Sequence, residues 1–229
     1  MNWREYWNQD TPIYVGERHK LLHYQLIASE IAALVPAPHA HVLDYGCGEA
    51  LSAARVAAKC ERLYLCDAAP LVRERLRERF APDGKIEVLA PEEMERIPEG
   101  SLDLVVVNSL LQYLSRDELR ALLGLWRAKL KPDGRLVLAD VIPPDLSPVA
   151  DAKALLGFAW KGGFLTRALL GLARTAVSEY RKLRQELGLT TYAEPEMLEI
   201  FRCAGFSAER RARNIGHNQG RMTFVARPA

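Results

Sequence analysis

The chain has 229 residues, 49% of them hydrophobic, which suffices for one well-cored α/β domain and excludes a second full domain. Its net charge of +2 comes from 31 basic and 29 acidic side chains scattered along the chain, which excludes the one-sided basic surface of a nucleic-acid binder. The cysteines at positions 47, 60, 66 and 203 show no zinc or redox spacing, so we predict unpaired thiols and no metal.

The first 36 residues predict a cap in front of the core. An aromatic-rich stretch, "NWREYWNQDTPIYVGERHK", leads into an amphipathic helix that ends near Leu34. Charged residues stand where a secretory signal would need its apolar segment. The sequence therefore predicts a cytoplasmic protein.

Residues 37–141 predict a parallel sheet with crossover helices, because short β-branched runs alternate with longer runs of helical period. The predicted strands are Val42–Asp44, Arg62–Cys66, Lys85–Leu89, Leu102–Asn108 and Arg135–Val141. The predicted helices are Ala50–Lys59, Pro70–Phe80 and Asp117–Leu130, and Ser115 is placed to cap the last of them.

Residues 142–190 interrupt this rhythm as a helical, mildly basic insertion that opens with the proline-rich "IPPDLSPVAD". Its most apolar part, "LLGFAWKGGFLTRALLGLARTAV", contains three basic residues and a glycine pair, which a membrane-spanning helix tolerates poorly. We therefore predict two helices here and no transmembrane segment.

Residues 191–229 predict a closing helix and a terminal antiparallel hairpin. The helix lies around Pro195–Cys203, with Gly205 as its C-terminal cap. Strands over Phe206–Ile215 and Arg221–Ala226 are joined by "GHNQG", a glycine-bounded polar turn suited to a hairpin. The whole chain, 1–229, is then interpreted as a single domain.

The stretch "VLDYGCGEAL" places a glycine turn between the first strand and the next helix. Gly46 and Gly48 permit positive φ and close backbone approach, and the helix that follows favours an anion at its start. Alone, the turn is equally compatible with a tight connection that binds nothing. Asp67 ends the second strand, where a carboxylate accepts ribose hydroxyls, and this favours a nucleoside-containing cofactor.

Two details separate the nucleoside cofactors that such a turn can hold. A dinucleotide fingerprint requires Gly or Ala at its sixth position, where this chain has Leu51. An acidic residue, Asp44, closes the first strand. Both details count against a dinucleotide.

Four motifs carry a resemblance to a known family: "VLDYGCGEA", "LYLCDAAP", "SLDLVVVNSLLQYL" and "LKPDGRLVLADV". In this order and spacing they resemble the class I S-adenosylmethionine-dependent methyltransferases, over residues 40–145 and the closing hairpin. The resemblance implies an α/β, Rossmann-like, doubly wound, seven-stranded mixed sheet with a terminal antiparallel hairpin, an N-terminal cap and an inserted helical lid. It also implies S-adenosyl-L-methionine as the cofactor.

The resemblance assigns a role to each matching position. The amides around Gly46, Cys47 and Gly48 would hold the methionine moiety, Asp44 would lie near its ammonium group, and Asp67 would bind the ribose. Ala68 and either Glu92 or Glu93 would lie near the adenine. The residues after the fourth strand would lie near the reactive end of the cofactor: Asn108, Ser109 and Leu110. Helix capping is the structural alternative for Asn108 and Ser109, and solvated carboxylates for Glu92 and Glu93.

A general base is needed only where the acceptor is protonated and its pKa is high. The candidates are Tyr14 and His19 in the cap, Tyr113 after the fourth strand, and His217 in the terminal hairpin. Packing of the cap is the alternative for Tyr14 and His19, and an exposed polar turn is the alternative for His217.

The insertion supplies apolar side chains to the same edge of the sheet: Leu155, Phe158, Trp160, Phe164 and Leu169. These side chains either pack the helices of the insertion together or form a lid over a hydrophobic acceptor. We favour the lid. Peripheral membrane contact through Lys161, Arg167 and Arg174 is a weaker variant.

The stretch "NSLL" after the fourth strand bears on the kind of acceptor. Methyltransferases that act on the exocyclic amines of bases often carry an Asn/Asp-Pro-Pro-aromatic motif there, which this chain lacks. The predicted acceptor is therefore a small molecule and not a nucleic acid.

Two rival functions stay open. One is a nicotinamide-dependent oxidoreductase that uses the same turn and Asp67. The other is a non-catalytic module that binds S-adenosylmethionine, since methyl transfer requires no invariant side chain.

Overall fold

The computed structural model describes Trp3, Trp7, residues 14–175 and residues 188–229. The rest of the predicted cap and the last part of the predicted insertion lie outside these residues. Helix α1 (Glu17–Ala32) precedes the first strand, and helix α2 (Ala53–Ala57) follows it. The others are α3 (Pro70–Phe80), α4 (Arg116–Lys129), α5 (Pro148–Gly162), α6 (Leu165–Thr175) and α7 (Glu194–Cys203).

Seven strands form one sheet in the order β3-β2-β1-β4-β5-β7-β6. They are β1 (His41–Tyr45), β2 (Arg62–Cys66), β3 (Ile86–Leu89), β4 (Leu102–Asn108), β5 (Leu130–Val141), β6 (Phe206–Arg210) and β7 (Met222–Pro228). The first five pair in parallel, and β7 runs antiparallel to both β5 and β6. The predicted seven-stranded mixed sheet and its antiparallel end are confirmed.

Apolar side chains cover both faces of this sheet. On one face α4 and α7 pack against the strands around Trp126, Phe201 and Phe224, all fully buried. On the other face α1, α2 and α3 contribute Ile31, Val56 and Leu76, among others. Burying both faces explains why the parallel strands are almost continuously hydrophobic.

The boundaries of several elements differ from the prediction for local reasons. Helix α2 begins three residues late because Ala50 has φ +39° and belongs to the glycine turn. Strand β5 begins at Leu130, opposite Leu102, ahead of the "KPDG" turn. Ser115 caps α4 as predicted, since its hydroxyl accepts a hydrogen bond from the Glu118 amide.

The terminal strands are neighbours, but the predicted tight "GHNQG" hairpin turn is wrong. Strand β6 ends at Arg210, and residues 211–221 form a longer loop before β7. Polar side chains hold this loop: the Ile215 amide donates to the Thr223 hydroxyl, and Asn214 accepts from the Asp140 amide. The loop therefore bends over the carboxyl edge of β5.

The insertion contains two described helices, α5 and α6, which meet at Gly163 (φ +70°). Of its predicted lid residues, Phe164 is buried, Leu155 and Phe158 pack against it, and Leu169 points to solvent with 52% exposure. Trp160 is also directed outward, with 75% exposure, so these two do not belong to a lid lining. Among the described residues, no helix combines the length and apolar character needed to cross a membrane.

Candidate active site

A cavity of about 1210 Å³ lies at the carboxyl edge of the sheet, where ligands of doubly wound sheets bind. Its floor is formed by the ends of β1, β2, β4 and β5, and its cover by α1, α5 and the loop 211–221. The volume exceeds the roughly 300–1,000 Å³ of ordinary small-molecule pockets. The cavity therefore has room for more than one small ligand.

The glycine turn is folded tightly against β2. Gly46 and Gly48 have φ +75° and +57°, so glycine is required at both positions. The Gly46 and Cys47 amides donate to the Cys66 carbonyl oxygen at 2.8 and 3.1 Å, and the Gly48 amide donates to Asp67. These amides hold the turn itself, so direct donation from them to a methionine moiety stays a prediction.

Asp67 joins the turn to the end of β2. Its two carboxylate oxygens accept from the Gly48 amide at 2.9 Å and from the Ala69 amide at 2.8 Å. Burial raises the pKa of Asp67, and the two amide hydrogen bonds oppose that shift. Each oxygen keeps a further lone pair, so the carboxylate can also accept two ribose hydroxyls from the cavity. Ala68 lines the cavity beside it.

Asp44 lines the same cavity as Asp67. Burial, together with the charge of Asp67, raises the pKa of Asp44 to about 7. A carboxyl group held near half-protonation becomes a charged acceptor when a cation is placed beside it. This chemistry suits the ammonium group predicted for this position.

The structure separates the two glutamates predicted near the adenine. Glu92 lines the cavity. Glu93 lies outside that lining, because its carboxylate accepts from the Ala90 amide at 2.8 Å and pairs with Arg96 at 3.2 Å. Those contacts lower the pKa of Glu93 and fix it as a cap of the 3-10 turn Pro91–Arg96. The assignment of Glu93 is therefore corrected, and Glu92 stays the candidate.

Asn108, Ser109 and Leu110 line the cavity after β4, and their place at the reactive end of the cofactor stays a prediction. Neither Asn108 nor Ser109 caps a helix. Ser109 has φ +56°, and its hydroxyl donates to Asp140 at 2.7 Å, while Asn108 donates to the Ser109 hydroxyl at 3.1 Å. Leu110 packs on the glycine turn, since a Cβ at Gly46 would lie 3.0 Å from it.

Three of the four predicted base candidates converge on one cluster under the cap. Tyr14 contacts His19 at 5.3 Å between ring centroids, and His217 lies 6.4 Å from His19. Tyr113 lies apart, with its ring 4.5 Å from Trp3. Burial raises the pKa of Tyr14 to about 12, so this tyrosine stays protonated and is a poor base.

Several cavity residues were missed by the sequence reasoning: His23, Tyr24, Asp140, Asp151 and Arg221. His23 follows His19 by one helical turn, and Asp140 occupies the end of β5 as Asp44 occupies the end of β1. These two signals were present in the sequence. Nothing local marks Asp151 or Arg221, because they meet only in the tertiary structure.

Asp140, Asp151 and Arg221 form a polar network at the wall of the cavity. Arg221 contacts Asp140 at 2.6 Å and Asp151 at 3.2 Å. Asp140 has φ +61°, an unusual conformation for a residue with a side chain, which places its carboxylate beside Ser109. Two carboxylates and one guanidinium leave this network one negative charge in excess.

The sheet order, its reversed strand β7 and the cavity at its carboxyl edge define the class I methyltransferase fold. A protein-family model described as a methyltransferase domain matches residues 42–134. Residues 42–134 thus match a methyltransferase domain, and the chain has the fold of the class I S-adenosylmethionine-dependent methyltransferases, so the nicotinamide-dependent alternative is set aside.

Relatives and solved structures agree with this class. The chain is 30% identical to Nodulation protein S of Rhizobium tropici over 47% of this chain and 45% of that protein. It is 30% identical to an uncharacterized methyltransferase of Mycobacterium tuberculosis over 55% of this chain and 61% of that one. The alignments thus span about half of the curated relatives' lengths.

Among solved structures, magnesium protoporphyrin IX methyltransferase from Synechocystis with bound S-adenosylhomocysteine superposes with a TM-score of 0.58 and 19% identity. That match covers 99% of this chain and 93% of that one. Phosphoethanolamine N-methyltransferase 1 of Haemonchus contortus gives a TM-score of 0.65 and 16% identity, over 99% of this chain and 48% of that one. At these identities, the two structures show the shared fold.

Proposed function

We propose that this protein transfers the methyl group of S-adenosylmethionine to a small acceptor with a largely apolar body. The observation that carries the proposal is one continuous cavity. It is lined both by Asp44, Asp67 and the glycine turn and by the aromatic and histidine side chains under the cap.

The residues of the cofactor end suit the chemical groups of S-adenosylmethionine. Asp67 offers a carboxylate to ribose hydroxyls, Asp44 an acceptor to the ammonium group, and Glu92 a carboxylate toward the adenine. Leu110 and Asn108 would lie near the sulfonium. When bound, the cofactor supplies an activated methyl group, so the protein's main task is to align the acceptor and exclude water.

The remaining cavity favours a small acceptor over a macromolecule. Its walls include Ile142, Leu155 and Leu122, and α1 lies over it. Tyr24 of α1 accepts a hydrogen bond from the Glu49 amide at 3.1 Å, which ties the cover to the cofactor turn. A covered cavity of this kind excludes a folded polymer and favours a compact molecule.

Calorimetric titration with S-adenosylhomocysteine tests the cofactor site, and we expect micromolar affinity. The acceptor class is tested by incubating the protein with S-adenosylmethionine labelled in the methyl group and a small-molecule extract. Label should enter a low-molecular-mass product, with heat-denatured protein as the control. No binding heat at millimolar ligand would contradict the proposal, and so would binding without any turnover, which indicates the non-catalytic alternative.

A further inference from the structure

Three histidines form a nearly equilateral triangle in the acceptor part of the cavity. The ring centroids of His19 and His23 are 6.3 Å apart, and His217 lies 6.4 and 6.1 Å from them. Within the described part of the chain, no cluster of such side chains has the geometry of a metal site. The chemistry left to these three side chains is the transfer of a proton to an imidazole nitrogen.

All three rings are neutral near pH 7. Burial lowers the pKa of His19 to about 4 and that of His23 to about 3, and it also lowers the pKa of His217. A neutral imidazole has one nitrogen that can accept a proton. The geometry around each ring decides which of the three can use it.

The acceptor nitrogen of His19 already takes part in a hydrogen bond. Its Nδ1 accepts a hydrogen bond from the Val15 amide at 3.3 Å, so the acceptor nitrogen of the neutral ring is occupied. His23 has a buried Nδ1 with no hydrogen-bond partner among the described residues. Burial opposes protonation of His23 most strongly, and the positive charge of Arg221 adds to that effect. Neither ring is suited to hold a transferred proton.

His217 differs because two carboxylates lie near it. The charges of Asp140 and Asp151 raise the pKa of His217 against the effect of burial, whereas Arg221 lowers it. The titratable and charged groups around His217 are His19 and His23 of α1, Asp140 of β5, Asp151 of α5 and Arg221, and Glu30 bonds its neighbour Gly216. A proton on His217 is therefore compensated by the excess negative charge of the network.

The structure also holds the His217 ring in place. It stacks on Phe158 with the centroids 4.9 Å apart and the planes 18° from parallel. On one side the Gly216 amide donates to Glu30 at 2.6 Å, and on the other side Asn218 donates to Asp151 at 2.5 Å. A ring fixed on both sides is suited to act on an atom at a defined position.

Resting on the proposed methyl transfer, we infer that His217 removes the proton from an acidic hydroxyl group on a flat, conjugated acceptor, a phenol or enol. The O–H bond breaks and its proton passes to the free imidazole nitrogen of His217. The oxygen forms a bond to the methyl carbon, and the C–S bond breaks with its electron pair remaining on sulfur as a thioether. The imidazolium releases its proton to water when the product leaves.

The lining favours a hydroxyl over a cationic amine. A phenol of pKa near 10 is protonated at neutral pH and profits from a base. An ammonium acceptor would need a free carboxylate, but Asp140 is bound by Ser109 and Arg221, and Asp151 by Asn218 and Arg221. Tyr14 lines the cavity and offers an aromatic surface for a flat ring to pack against.

The test uses 1-naphthol and 1-naphthylmethylamine, which share one ring system and offer a hydroxyl group and a cationic amine as acceptors. Release of S-adenosylhomocysteine is measured from pH 5.5 to 9 for the wild type and for His217→Gln, with His19→Gln and His23→Gln as matched controls. We expect methylation of the naphthol with a rate that rises as His217 loses its proton. His217→Gln should lower kcat by about 10²–10⁴-fold and abolish this dependence. The controls His19→Gln and His23→Gln should keep the pH dependence, whatever their absolute rates.

Two further variants separate a chemical role from a structural one. Asp140→Asn removes a charge that raises the pKa of His217, so the rising limb of the pH profile should move to lower pH. In His217→Ala, added imidazole should restore part of the rate. Faster turnover of the naphthylmethylamine, a retained pH limb in His217→Gln, or no turnover of the naphthol despite cofactor binding would overturn the inference. Failure to bind S-adenosylhomocysteine would instead contradict the proposed function.

Discussion

Replacing Asp67 by alanine tests the cofactor site most directly, because this carboxylate joins the glycine turn to β2 and faces the cavity. The change removes a charged acceptor for the ribose hydroxyls, and hydrogen bonds to charged groups contribute about 1.5–3 kcal/mol. Affinity for S-adenosylhomocysteine should therefore fall roughly 10- to 150-fold.

The same substitution also affects folding. The Gly48 and Ala69 amides lose partners at 2.9 and 2.8 Å, and Ala69 is buried. Leaving a buried amide unsatisfied costs about 1–3 kcal/mol of unfolding free energy. Thermal unfolding should therefore show a destabilised but folded variant.

Asp83 provides a matched control outside the cavity. Its carboxylate accepts from the amide two residues on, Lys85, at 3.0 Å, as Asp67 does from Ala69. Asp83→Ala should keep full affinity in calorimetric titration. Unchanged affinity in Asp67→Ala, or an equal loss in Asp83→Ala, would refute the assignment of Asp67 to the ribose.

Three further predictions concern the turn, α4 and Asp44. Gly46→Ala forces a side chain into φ +75° and against Leu110, so it should weaken cofactor binding at least tenfold by calorimetry, whereas Gly84→Ala, with open space around it, should not. Ser115→Ala removes the cap of α4 and should cost about 1 kcal/mol in urea unfolding, with cofactor affinity unchanged. Because the pKa of Asp44 is raised to about 7, cofactor affinity should fall as pH decreases through 7, and Asp44→Asn should flatten this dependence. Because the pKa of Asp44 rises from 3.8 to about 7 on folding, the unfolding free energy falls as pH rises between these values, and Asp44→Asn should therefore unfold at a higher temperature at pH 8.

The parallel strands could be located from the sequence because their signals are local, and the family resemblance supplied the architecture of the sheet. Strands β2 and β4 were predicted to the residue, since apolar runs bounded by turn residues mark buried parallel strands. The glycine turn could be located because positive φ restricts the residue type. The N-terminal cap of α4 could also be predicted, since Ser115 and Glu118 lie three residues apart.

The acceptor site could not be assembled from the sequence, because its parts come from distant segments. His19 and His23 belong to α1, and His217 belongs to a loop near the end of the chain that was predicted to be a simple turn. A hydrogen bond from Gly216 to Glu30 brings these segments together. The sequence by itself determined the parallel strands, the glycine turn and the position of Asp67 at a strand end, because each depends on neighbours along the chain. Only the tertiary structure decided which histidine faces the carboxylates, because charge and burial around a side chain depend on every element packed against it.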